Sequence, residues 1–236
     1  MYCLGQRTGP TAYLSGYVSA FLLDDGSGGL TLIDTCWETD GRHVLEQLQR
    51  LGRELTDLKH ILLSHGHRSH LGGLALLKAR SGATVYSHEW EEDIISGDRE
   101  PQRVSPLPKP PFLAYPFQLA LSQGKGAGHP PCAVDRAVAN GDRVGPVQVL
   151  HAPGHSPGHL AFYWPECRVL FTGDAVATWP ELGPGWPGLN LNHKQQRSTL
   201  GKLAELDPQV VAVGHGDPIT RGAPERLRYL YQHFGT

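Results

Sequence analysis

Ser64-His65-Gly66-His67-Arg68-Ser69-His70 follows directly on the apolar run Ile61-Leu62-Leu63. Three histidines fall within six residues. His65 and His67 are two apart, so at the end of an extended strand they point the same way. His70 comes three residues later, where a turn or a helix start brings it back beside them. Neutral imidazole is the commonest protein ligand for zinc and similar metals, so the stretch reads as half of a metal site. Taken alone, it is also compatible with a polar surface loop.

Outward from this stretch, strand and helix patterns alternate. Upstream, Tyr17-Val18-Ser19-Ala20-Phe21-Leu22-Leu23 and Leu30-Thr31-Leu32-Ile33-Asp34-Thr35 are strand-like. The turn cluster Asp24-Asp25-Gly26-Ser27-Gly28-Gly29 between them predicts a hairpin. Asp40 is placed to cap a helix running to about Leu51, with Val44, Leu45, Leu48 and Leu51 on one stripe and Gly52 past the end. Residues 58–63 read as a buried strand that delivers the histidines, residues 72–79 as a helix, and Thr84-Val85-Tyr86 as a strand. Further on, Val144, Val147-Gln148-Val149-Leu150, Ala161-Phe162-Tyr163-Trp164, Arg168-Val169-Leu170-Phe171 and Val210-Val211-Ala212-Val213 are strand-like, with helices predicted over 200–206 and 225–233. Several of these strands are apolar on both faces. The pattern predicts an α/β layered protein of mixed sheets with helices on the outside.

A chain of 236 residues is expected to form a single domain, 1–236, with a substantial core. Its 39% hydrophobic and 19% charged residues suit a water-soluble globular protein. A net charge of -2 gives no electrostatic case for nucleic acid or an anionic membrane, so neither is expected as a partner. Neither a leader pattern nor a membrane-length apolar run is evident, which makes a cytoplasmic location the expectation. Cys3, Cys36, Cys132 and Cys167 lie far apart, which argues against a zinc ribbon and a dense disulfide scaffold. Residues 91–135 hold Pro101, Pro106, Pro108, Pro110, Pro111, Pro116, Pro130 and Pro131, with Gly124-Lys125-Gly126-Ala127-Gly128. They read as an irregular insertion, either a lid over a site or a linker, and the strand patterns on both sides favour the lid.

Four more sites share one grammar: an apolar strand ends and a metal-competent residue follows at once. Asp34 follows Leu32-Ile33, and His155 lies in Pro153-Gly154-His155-Ser156-Pro157-Gly158-His159. Asp174 follows Leu170-Phe171-Thr172-Gly173, and His215 sits between Gly214 and Gly216. Rigid strand ends opening into glycine loops are where ligands converge with little play. Singly, each has a plainer reading: an aspartate after a strand forms turns, and a histidine beside glycine is solvated.

The conjunction, in this order, resembles the metallo-β-lactamase superfamily from about Tyr13 to Pro218. Leu71-Gly72-Gly73, Ser156-Pro157-Gly158-His159 and Leu206-Asp207-Pro208 match as well, and look most like its glyoxalase II-like metallo-hydrolase branch. The resemblance implies an αββα sandwich with a metal site along one edge of its two sheets. It implies that His65, His67 and His155 hold a first metal, that Asp174 bridges, and that His70 and His215 belong to a second. Asp34 matches the outer carboxylate that orients ligands. The implied cofactor is zinc, one or two ions, with manganese or iron as alternatives.

The family pattern is His-x-His-x-Asp-His, and this chain has Ser69 at the aspartate. Near pH 7 serine is neutral and offers no charge, so one of two carboxylates compensating two divalent ions is gone. His70, His215 and Asp174 still amount to three ligands, enough for a catalytic site with an open position. A weaker second site is therefore predicted, with a working binuclear site and a non-catalytic protein as the alternatives. The expected activity is hydrolysis of an ester, thioester, lactone or similar small acyl substrate by a metal-bound hydroxide, with Asp174, His70 and Ser69 as the candidate catalytic residues. A mononuclear iron oxygenase of the persulfide dioxygenase kind and a binding or regulatory protein remain open beside it. Cys36, His88, His129, His151, His159 and His193 are read as packing or solvated residues, with His88 and His193 possible pocket linings. Residues 107–115 and 178–186 are expected to close the substrate pocket. Oligomeric state is not legible.

Overall fold

The histidine stretch emerges from β4 (Leu58–Leu62), a strand buried at Leu58, Ile61 and Leu62. A computed structural model describes the chain at residues 1–7, 17–101, 105–107, 115–123, 128–185 and 189–234. Around β4, the first sheet runs β1 (Tyr2–Arg7), β2 (Tyr17–Asp24), β3 (Leu30–Ile33), β4, β5 (Thr84–Ser87), β6 (Arg136–Ala137). β1, β2 and β3 pair antiparallel, while β3 through β6 pair parallel. The second sheet runs β11 (Val210–Ala212), β10 (Val169–Phe171), β9 (Leu160–Trp164), β8 (Val147–His151), β7 (Arg143–Val144). Its β10–β11 pair is parallel and the rest are antiparallel.

The period-2 alternation of strand side chains divides the core into layers. In β2, Phe21 and Leu23 face the second sheet, where they meet Val149, Phe162, Phe171 and Ala212. The alternating Ala20 and Leu22 face the other way, onto Val44 and Leu48 of α1 (Arg42–Arg50) and Leu74 and Leu77 of α3 (Leu74–Ser81). In the second sheet Phe171 faces inward, while Ala161, Leu170 and Val211 face Leu200 and Leu203 of α6 (His193–Glu205) and Leu227 and Leu230 of α7 (Ala223–His233). The result is helix, sheet, sheet, helix, the αββα order expected. Parallel β3–β4–β5 send their C-terminal ends to one edge, where the loops bearing Asp34 and the histidines begin.

Local differences from the sequence reading have physical causes. Asp40 does not cap α1. Gly41 does, in a left-handed conformation, while the Asp40 carboxylate accepts from the Arg42 N–H at 3.1 Å. The helix predicted over 72–79 is α3, shifted to Leu74–Ser81, and a separate turn, α2 (Arg68–Leu71), precedes it across Gly72-Gly73. A Cβ on Gly72 would lie 2.1 Å from the Trp37 carbonyl oxygen, so only glycine permits this approach. Helix α6 starts at His193 instead of Leu200: the Asn192 side chain caps it by accepting from the Gln195 N–H, and its polar opening turns hide the periodicity. β1 carried no strand signal that the sequence reading used. The described residues of 91–135 include two helices, α4 (Glu92–Ile95) and α5 (Tyr115–Ser122), the latter with Pro116 in its first turn, where its missing N–H is harmless. Among the described residues no helix is long and apolar enough to cross a membrane.

Candidate metal centre

His67 caps α2, so the chain turns from strand to helix between His67 and His70 and folds His70 back beside His65. The rings of His65 and His70 are 4.4 Å apart between centroids. His155 arrives from the loop between β8 and β9 in the second sheet. His67 Nδ1 lies 2.9 Å from His65 Nε2 and 3.0 Å from His155 Nε2. Asp174, in the turn after β10, places Oδ2 at 3.5 Å from His155 Nε2 and 3.2 Å from His215 Nε2, and Oδ1 at 3.3 Å from His70 Nε2. One carboxylate thus faces both groups. A Cβ on Gly214 would lie 2.2 Å from Asp174 Oδ1, so a side chain there would displace the carboxylate.

Outer contacts fix which nitrogen of each ring faces inward. Asp34 is buried and holds a left-handed φ of 59°, a conformation a non-glycine residue keeps only under strong constraint. Its carboxylate accepts from the Ser64 N–H and hydroxyl, both at 2.8 Å, and from His70 Nδ1 at 2.9 Å. Ser64 Oγ also meets His65 Nδ1 at 3.0 Å. Asn190 Oδ1 accepts from His155 Nδ1 at 3.1 Å. His65, His70 and His155 therefore all turn Nε2 inward, as metal-ligating imidazoles oriented by an outer shell do.

Burial, then the neighbouring imidazoles His70, His67 and His155, hold the His65 pKa well below the ordinary histidine value. His155 is likewise well below it and His67 is lowered to about 4, with burial the leading cause in each. These rings are neutral at pH 7 and ready to donate lone pairs. His70 is the opposite. Burial acts to lower it, but the carboxylates of Asp174 and Asp34 prevail and raise it to about 10. Burial disfavours the Asp174 carboxylate, yet His215 and His70 hold its pKa well below the usual range.

The residues fit a metal. Ring nitrogens of His65 and His155 each lie about 3 Å from that of His67, and all three fall within 4.8 Å of one another. A second grouping brings ligand atoms of His65, His70 and Asp174 within 4.8 Å of one another. His70 Nε2 and Asp174 Oδ1 are buried 3.3 Å apart and neither makes a hydrogen bond to any other group, so both are available to a cation. Nitrogen with one carboxylate suits zinc or iron better than calcium or magnesium.

The structure brings together His65, His67, His70, His155, Asp174 and His215, with Asp34 behind them. Ser69 is half-buried in the first turn of α2, one residue before His70. Supports of the site escaped the sequence reading, Asn190 and His159 among them. Asn190 orients His155. His159 is fully buried, and its Nε2 accepts from the Asp174 N–H at 3.0 Å, holding the backbone of the shared carboxylate. Its recurrence four residues after His155 was the available signal. Cys36 packs in the core, where burial pushes its thiol up. His88 caps the turn Glu89–Glu91, His129 meets the Ile95 carbonyl, His151 that of Pro157, and His193 lies exposed on α6. Of the two segments expected to close a pocket, residues 108–114 and 186 lie outside the described residues.

The family model for the metallo-beta-lactamase superfamily matches residues 15–215, and the chain belongs to that superfamily. A hydroxyacylglutathione hydrolase of Fuscovulum blasticum is 29% identical over 204 residues, 83% of this chain and 61% of that enzyme. The chain thus spans less than two thirds of that relative. The crystal structure of metallo-beta-lactamase family protein TTHA1429 from Thermus thermophilus superposes with a TM-score of 0.70 at 28% identity, covering 98% of this chain and 78% of that one. TTHA1623, solved in a di-iron-bound form, superposes with a TM-score of 0.64 at 29% identity over 94% and 97% of the two chains.

Proposed function

We propose that this protein is a metal-dependent hydrolase of small acyl substrates: esters, thioesters, lactones or close analogues. The observation that carries the reading is the buried convergence of His65 Nε2, His67 Nδ1 and His155 Nε2 beside a carboxylate shared with His70 and His215. Likeness to a hydroxyacylglutathione hydrolase supports hydrolysis of an acyl bond. In this reading His65, His67 and His155 would hold the first metal and His70 and His215 the second, with Asp174 shared between the two groups. Zinc is the favoured ion, with manganese and iron as alternatives, iron because a relative binds two.

A bound metal of this kind acidifies water and polarises a carbonyl oxygen. The chain does the rest. Asp34, Ser64 and Asn190 keep three imidazoles aimed inward, and His159 keeps Asp174 in place. His65, His70, His155 and Asp174 are sealed from solvent, while His67 and His215 retain exposure, so substrate enters on the His67–His215 side. Trp179 and Leu189 pack on Ala177 there, and the Thr178 N–H donates to the His215 carbonyl. That apolar wall suits a substrate with a hydrocarbon or aromatic part. Asp174 Oδ1 is the acceptor available for a water proton in the buried site; Ser69 offers a hydroxyl where the His-x-His-x-Asp-His pattern has a carboxylate.

Metal analysis of the purified protein, with a hydrolysis panel of esters, thioesters and lactones, tests this. Zinc, manganese or iron at one or two per chain with turnover of a panel member is expected. Stoichiometric metal with no turnover across the panel overturns the hydrolase reading. One iron per chain with substrate-dependent oxygen uptake replaces it with an oxygenase.

A further inference from the structure

The two ligand loops of the three-histidine group come from different sheets, and one buried side chain ties them together. Glu91 ends the short turn Glu89–Glu91 after β5 and is 1% exposed. Its Oε2 accepts from the Gly66 N–H at 3.0 Å, between His65 and His67. Its Oε1 accepts from the Ser156 hydroxyl at 2.6 Å and the Gly158 N–H at 2.9 Å, beside His155 and His159. The carboxylate is thus a strap between the β4–α2 loop of the first sheet and the β8–β9 loop of the second.

Two glycines make room for it. A Cβ on Gly66 would lie 3.0 Å from Glu91 Oε2, and one on Gly158 would lie 2.8 Å from Glu91 Cγ. Both glycines are buried, so without the carboxylate their N–H groups would lose their acceptors in a region closed to water. A carboxylate is required because only two acceptor oxygens can serve both loops at once.

We propose that Glu91 is a positioning residue for the metal centre: its carboxylate sets the spacing between His65/His67 and His155, and so the affinity of that group for a divalent metal. This rests on the metal-site reading above. Glu91 touches neither the proposed metal nor the substrate. Its effect passes through the two loops. The fold has a separate tie nearby, the Leu160 N–H to the Ser64 carbonyl at 2.8 Å, so loss of the strap loosens the ligands without parting the sheets.

The test is the zinc affinity of metal-stripped protein, measured by competition with a chromophoric chelator, with the absorption spectrum of the Co2+ form as a report of ligand geometry. Glu91→Gln keeps the shape but offers one acceptor oxygen, so one loop is released. Zinc affinity is expected to fall about tenfold or more, the usual scale for outer-shell groups, and the Co2+ spectrum to shift. Gly158→Ala, which leaves Glu91 intact and crowds it, should act in the same direction. Ser156→Ala, which leaves both loops strapped, should cost less than either. Leu48→Ala, a cavity in the distant α1 layer, controls for general destabilisation. Wild-type affinity and spectrum in both Glu91→Gln and Gly158→Ala overturn the proposal. So does an equal loss in Leu48→Ala. A wild-type protein that binds no zinc or Co2+ removes the metal-site reading and this inference with it, whereas a change of affinity in a protein without hydrolytic activity leaves Glu91's role standing.

Discussion

The two halves of the centre share Asp174 and differ in almost everything else. The His65–His67–His155 half joins two loops from two sheets, and its rings are neutral, their pKa values driven down chiefly by burial. The His70–His215 half has His70 held up at about 10 by two carboxylates, and the neutral Ser69 directly before it in the chain. One half presents lone pairs to a cation. The other would have to expel a proton before it could bind a divalent ion with one acidic ligand. Burial makes a metal site only when the charges around it leave the ligands unprotonated. The first half meets that condition across the neutral range, and the second does not.

Removing what the halves share is expected to have the largest effect. Asp174→Ala should lower hydrolytic turnover about a thousandfold or more, since both charge neutralisation and ligand orientation go. Metal retained after dialysis, measured by mass spectrometry, should fall in both halves. If only one metal is lost, Asp174 does not bridge. Ser69→Asp should narrow the contrast. Restoring a carboxylate beside His70 is expected to raise affinity for the second ion about tenfold or more, moving stoichiometry from near one towards two at limiting metal. Unchanged stoichiometry would mean that Ser69 does not limit the second half. Asn190→Ala, which frees the His155 ring to reorient, should weaken the first ion about tenfold and leave the second nearly untouched.

The site was more legible in the sequence than its supports were. His65, His155, Asp174 and His215 each sit beside a glycine shortly after a strand, so pattern and chemistry coincide at these candidate ligands. The layer order followed from the same strands. Asn190, His159 and Glu91 were not legible as supports, because a hydrogen bond across 35, 15 or 67 residues leaves no local periodicity. A buried glutamate four residues beyond a strand reads as a helix-start residue until its partners are seen. The start of α6 was hidden for a related reason: Gln196 and Thr199 are buried, but through polar contacts to the Ala175 and Pro153 carbonyls, so the inward face is not apolar.

The smallest expected effects are protonic, and they test the contrast most directly. At pH 7.5 the first ion meets neutral imidazoles, so its binding should release almost no proton from His65, His67 or His155. The second must displace the His70 proton and should release close to one. Calorimetric titration in buffers of different ionisation enthalpy reads both numbers. Stability of the metal-free protein carries the same signature. In the unfolded chain these histidines titrate near the ordinary value of about 6.5. His67 and His159, at about 4 in the folded state, stabilise above 6.5 and lose that contribution as pH falls towards 4. His70, at about 10, stabilises below 6.5 and loses its contribution as pH rises towards 10. The thermal midpoint should therefore peak near pH 6.5 and decline on both sides. His70→Ala should flatten the alkaline limb and, by removing a neighbouring positive charge, soften the acid one, whereas His67→Ala should reduce the acid limb and leave the alkaline limb in place. A profile in which His67→Ala also flattened the alkaline limb would show that the halves titrate as one unit, and the division between them would fail.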